Sequence, residues 1–155
     1  MTKLLLTLHV LAAVLAVGPV AVAASMFPPA LRQAAGPPGD AGALASLRTL
    51  HRVCRVYSGV GIAVPVFGFA TAAALGVMGD PWLIASIVLT VAAAAVLMVL
   101  ILPAQDEALD AAEEAERAPK PGADRRLAML AGIFNLLWAT VTVLMIVRPG
   151  STTGA

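Results

Sequence analysis

The sequence predicts an all-α fold, a membrane bundle of four transmembrane helices, and three observations point to it. Of the 155 residues, 60% are hydrophobic and only 12% charged, with a mean hydropathy of +0.92, whereas a soluble domain is about 45–50% apolar and about 25% charged. The apolar residues gather into four uncharged runs. Each is close to the roughly 20 residues that a helix needs to cross a hydrocarbon core of about 30 Å. No alternating pattern of a barrel strand is visible, and a bilayer core leaves a spanning backbone only helices or closed barrels.

The whole chain, 1–155, reads as a single integral membrane domain. The first span, 4–27, stops at Pro28-Pro29. The second, 56–78, stops at Gly79-Asp80-Pro81. The third, 82–102, is bracketed by Pro81 and Pro103, and the fourth, 127–147, lies between Arg125-Arg126 and Arg148-Pro149. The first span also imitates a cleavable signal peptide, with Lys3, a Leu-rich run and Ala21-Val22-Ala23. Its unbroken continuation to Phe27 favours retention, as does the Arg-rich stretch 32–55, which cleavage would leave outside.

Charge sets the orientation. One side of a four-span chain holds Lys3 and Arg148; the other holds Arg32, Arg48, Arg52, Arg55, Arg117, Lys120, Arg125 and Arg126. The positive-inside rule therefore places loops 28–55 and 103–126 in the cytoplasm and both termini outside the cell membrane. The formal net charge of +1 suggests no acidic or basic partner, and the basic residues form no nucleic-acid face.

Residues 28–42, rich in Pro and Gly, are expected as a loop. Residues 43–57 then read as a helix with Leu44, Leu47, Leu50 or His51, Cys54 and Tyr57 on one side and Arg48, Arg52 and Arg55 as a stripe at i, i+4, i+7. That stripe suits an anionic leaflet, or simply stops the second span from sliding inward. In the second loop, Pro103 suits a first helical turn, Glu113 and Arg117 are ordered for an i,i+4 pair, and Pro119 and Pro121 end the helix. Six acids and one base between Asp106 and Arg117 read as a solvated helix or as a partner for the arginine stripe.

Chemistry inside a membrane needs ionisable groups, which are expensive there. Across the four spans His9 is the only candidate, as a metal or haem ligand, a quinone contact or a proton carrier, or as an interfacial hydrogen-bonding residue. His51 lies about 27 Å from His9 along the first helix direction, so the two cannot share one iron; Met78 is the best-placed second ligand. Asp80 and Arg148 form a polar cluster with His9, as an Asp80–Arg148 or Asp80–His9 pair, or act with Trp82 as interface anchors. Gly68, Ala72 and Gly76 form a small-residue ladder for helix packing, Pro65 bends the second helix, and Asn135 makes an interhelical hydrogen bond or a substrate contact.

Several mechanisms are set aside. There is no P-loop, no Ser/His/Asp arrangement, no H-E-x-x-H and no paired intramembrane carboxylates. Cys54 is the single cysteine, which excludes an intrachain disulfide and a Cys-based metal site. No catalytic residue, metal site or cofactor is read from the residues.

The segments KLLLTLHVLAAVLAVGPVAVAASMFP at 3–28, LHRVCRVYSGVGIAVPVFGFATA at 50–72 and GDPWLIASIVLT at 79–90 resemble a bacterial family of four-helix integral membrane proteins, domain-of-unknown-function family 2269. The resemblance implies the four-span fold; the family has no established activity to carry over. The first-helix histidine is similar to that of copper-resistance and cytochrome b561-like membrane bundles, which would imply haem or metal at His9. The leading expectation is a non-enzymatic membrane component that binds the lipid bilayer's lipids or a membrane protein partner, self-association included. An accessory to membrane redox or metal handling through His9 comes second, and a small transporter or channel third.

Overall fold

The computed structural model describes residues 1–36, 41–114 and 120–150. It contains six α-helices: α1 (Thr2–Ala34), α2 (Ala41–Val60), α3 (Ala63–Leu75), α4 (Pro81–Ala95), α5 (Leu102–Glu113) and α6 (Ala123–Val147). A π-helical segment, Val96–Ile101, joins α4 to α5. No strand occurs among the described residues. The elements join end to end into four helical runs, Thr2–Ala34, Gly42–Leu75, Pro81–Glu113 and Ala123–Val147, each long and apolar enough to cross a membrane.

The runs alternate in direction. One end of the bundle carries Met1, the Gly76–Asp80 turn and the end of α6; the other carries the described parts of the two long connections. α1 is the central helix and packs on α2, α3 and α6, while α4 packs on α6 and α2 on α5. Many large apolar side chains face outward, Leu4, Val14, Val88 and Ile146 among them. In water such a surface would be an aggregation liability; for a membrane protein it is the lipid-facing wall.

The prolines bend this plan less than local rules suggest. Residues 28–34, expected as loop, continue α1 straight through Pro28 and Pro29. Two consecutive missing N–H groups weaken the helix, but Phe27, Ala30 and Leu31 are buried against Leu47, Ala108 and Leu127, and that packing holds the extra turns in place. Residues 37–40 of the expected loop lie outside the described residues.

Pro65 acts where its ring meets the carbonyl four residues earlier. The helix is interrupted at Gly61–Ile62, and the Gly61 carbonyl accepts instead from the Val64 N–H at 3.1 Å. Pro103 stands in the first turn of α5, yet no break precedes it. The π segment absorbs it: the Leu102 N–H reaches the Leu97 carbonyl, five residues back. α5 itself ends at Glu113, with Glu114 extended, earlier than the expected stop at Pro119 and Pro121. Pro119 and the Glu113 partner Arg117 lie outside the described residues.

Gly76 is not a packing residue. It caps α3 with a left-handed φ of 71° and nothing within 4 Å of where a Cβ would stand; glycine adopts that conformation at no steric cost, which is why the helix stops there. The small-residue ladder therefore ends at Ala72.

Both long connections are mostly helix, so the bundle continues past the length of its apolar spans. A run of 33 residues is about 50 Å long, against the roughly 30 Å of a hydrocarbon core. The surplus turns of α1, α2, α5 and α6 enclose the Phe27–Leu47–Leu127 cluster, a second small core beyond the main one around Val20, Cys54, Leu97 and Phe134.

Candidate binding site

His9 lies on α1 facing α3. Its Nδ1 is 2.9 Å from the Val64 carbonyl oxygen. A carbonyl only accepts, so Nδ1 carries the hydrogen and Nε2 of the neutral ring presents a lone pair. Gly68 makes the approach feasible: a Cβ there would stand 3.0 Å from His9 Cε1 and 3.2 Å from Nδ1. Gly68 is thus a seat for the imidazole, and Ala72, one turn further, packs instead with Trp82 and Leu83 of α4. The two residues of the ladder serve two different neighbours.

Around Trp82 the polar groups arrange themselves through the indole. Its Nε1–H donates to Asp80 Oδ2 at 2.9 Å, and the Arg148 guanidinium lies over the ring, 5.6 Å from its centre, a cation–π distance. Arg148 Nε also donates to the Met145 carbonyl at 3.2 Å. The expected Asp80–Arg148 and Asp80–His9 pairs do not form; Trp82 joins the acid and the arginine instead. Arg148 is the one non-glycine residue with positive φ among the described residues, at 44°. The following proline disfavours the right-handed region, and the left-handed turn brings the side chain back over the bundle end.

His9 and Arg148 share a cavity of about 150 Å³, walled further by Thr71, Ala72, Trp82 and Met145. A second cavity of about 140 Å³ follows it toward the middle of the bundle, with Val20, Tyr57, Leu97, Phe134 and Trp138 in its wall. Pro65 and Thr90 line both. The two cavities are neighbours along α3 and α4, which meet at Ala72, Trp82 and Leu83. Their polar atoms are few, the composition usual for ligand pockets. No acidic side chain lines either cavity.

The polar residues at the other end make a different arrangement. Arg48 Nε donates to Glu113 Oε1 at 2.7 Å, so one arginine of the stripe meets the acidic helix. Arg52 and Arg55 are exposed and form no ion pair among the described residues. Arg32 pairs with Asp124 at 3.3 Å and Lys120 with Glu107. The Lys120 hydrogen bond, and then its charge, hold the Glu107 carboxyl below the ordinary glutamate value.

Beneath these pairs lies a buried polar cluster that sequence reasoning missed. Gln105 is fully buried; its Oε1 is 3.3 Å from His51 Nδ1 and its Nε2 donates to Cys54 Sγ at 3.6 Å. His51 Nε2 lies 2.9 Å from Asp106 Oδ1, off the line of a hydrogen bond. The signal was periodicity: Leu97, Ile101, Gln105 and Ala108 continue one face of the third run past Pro103. Asn135 Nδ2 donates to Ser25 Oγ at 3.0 Å, which in turn donates to the Ala21 carbonyl, tying α6 to α1. No cluster of three or more His, Cys, Asp or Glu side chains suited to a metal occurs among the described residues.

A family model described as Predicted integral membrane protein (DUF2269) matches residues 3–149. Neither the curated proteins nor the solved structures contain a match.

Proposed function

The chain belongs to the DUF2269 family of predicted integral membrane proteins, and from that premise we propose that it is a non-enzymatic, multi-pass component of the cell membrane that takes a bilayer lipid into a crevice along α3 and α4. Both termini face outward in this reading, with the cationic connections in the cytoplasm. The supporting observation is the pair of adjacent apolar cavities that share Pro65 and Thr90. In a bilayer an unfilled apolar crevice forfeits dispersion contacts on both walls, and an acyl chain is the molecule always at hand to restore them.

A second reading, an accessory to membrane redox or metal handling through His9, draws on the free Nε2. The methionine in the wall of the His9 cavity is Met145, not the expected Met78.

Native mass spectrometry of the full chain, released from mild detergent, tests the lipid reading. We expect one lipid to survive activation, and its occupancy to fall in Ala94→Phe, which fills the lower cavity from an exposed wall position. Absence of retained lipid, or equal retention by a folded Ala94→Phe variant, would refute it.

A further inference from the structure

The crevice has a chemically distinct mouth at the end that carries Met1. His9 Nε2 has no hydrogen-bond partner and is not sealed from its surroundings. With Nδ1 donating to Val64, Nε2 of the neutral ring is an acceptor. The Arg148 guanidinium has committed Nε to the Met145 carbonyl and rests on the Trp82 face, which leaves its terminal nitrogens as donors. Thr71, in the same wall, donates its hydroxyl hydrogen to the Phe67 carbonyl, which leaves its oxygen as an acceptor. The one acid nearby, Asp80, accepts from the Trp82 indole and is not part of the wall.

These assignments describe a cationic donor beside one or two neutral acceptors, above an apolar channel. We infer that this mouth is a headgroup subsite for an anionic lipid whose head also carries a hydroxyl: the anion meets Arg148, and the hydroxyl donates to His9 Nε2. The inference rests on the lipid reading of the crevice and adds the head chemistry to it. An anion matches the guanidinium because charge-assisted hydrogen bonds are the stronger kind. A carbonyl or a phosphate oxygen alone has nothing to offer the His9 lone pair, whereas an alcohol does. Gly68 acts here as a positioning residue, because it allows the ring to sit where Nδ1 reaches Val64 and Nε2 is turned to the mouth.

The left-handed backbone at Arg148 makes a clean variant available. Arg148→Gly removes the side chain while suiting a φ of 44° better than arginine does. His9→Leu keeps bulk and removes the acceptor.

The test is native mass spectrometry of the delipidated full chain offered chain-matched phosphatidylglycerol, phosphatidylmethanol and phosphatidylcholine. The first is anionic with a free hydroxyl, the second anionic without one, and the third zwitterionic. We expect phosphatidylglycerol to exceed phosphatidylmethanol, and that to exceed phosphatidylcholine by about tenfold, because the choline cation beside the phosphate offsets its attraction to the Arg148 guanidinium. Arg148→Gly should abolish the preference for the anion, and Arg148→Lys should restore part of it. His9→Leu should abolish only the difference between phosphatidylglycerol and phosphatidylmethanol. Lipids bound without regard to head, or preferences that survive both substitutions, overturn the subsite and leave the crevice reading standing. If none of the three lipids binds, both readings fall, and thermal melting of each variant shows that its fold was intact.

Discussion

The two ends of the bundle are built by different means. At the end with the long connections, α1, α2, α5 and α6 close around Phe27 and Leu47, both fully buried, and are laced by Arg48–Glu113, Arg32–Asp124 and Lys120–Glu107. At the end with Met1, α3 and α4 stand over a crevice, and the contacts are a histidine on a glycine and an arginine on an indole. Water makes the first kind of packing favourable: apolar burial supplies the driving force, and charges can remain on the rim. Lipid tails are as apolar as leucine, so the second end gains little from burial, and close backbone approach or a single hydrogen bond decides its geometry. The tight end is a small globular core; the loose end is completed by its surroundings.

The largest effect is expected at the tight end. Phe27→Ala should cost about 3–5 kcal/mol in equilibrium unfolding of the detergent-solubilised chain, whereas Leu6→Ala in the crevice wall should stay within about 0.5 kcal/mol. Equal losses would erase the distinction between the ends. Next comes Gly68→Ala, where the added methyl meets the imidazole at 3.0 Å. About 1–3 kcal/mol should be lost through overpacking, and the ¹⁵N shift of His9 Nδ1 should move as the Val64 bond breaks. A neutral substitution with an unmoved signal would show that α1 and α3 slide freely.

The smallest effect concerns the rim. Because Lys120 lowers the folded pKa of Glu107, the pair stabilises the fold above the unfolded glutamate pKa, and that contribution is lost as pH falls through the lowered value. Glu107 is exposed, so the slope of stability against pH in this acid range should be shallow, weaken with salt, and vanish in Lys120→Met. A slope insensitive to salt would mean that other carboxylates control it.

The four spans were legible because hydropathy along the chain is a local property, and so was the helix over 43–57 from its periodicity. Pro28-Pro29 misled for the same reason. A proline rule knows only its own turn, while Phe27 and Leu31 answer to Leu47 and Leu127 across the bundle. Charge misled in 103–117, where the acidic surface of α5 masked the buried Gln105 on its other side. His9 stood out as a lone ionisable residue, but its glycine seat lies 59 positions away in sequence, and no local pattern joins them. The role of Trp82 between Asp80 and Arg148 depends equally on three elements meeting at one end.

The π segment Val96–Ile101 has one more consequence. A wide turn holds one residue more than the α turns on either side, so it behaves as a phase adjuster in the third run. It sets the rotation at which α5 emerges, and hence that Gln105 and Ala108 point inward while Glu107 and Asp110 point out. Reading frames of faces, unlike reading frames of codons, can be repaired within a single turn. In this chain the repair sits directly before Pro103, where the helix already lacked a hydrogen bond to lose.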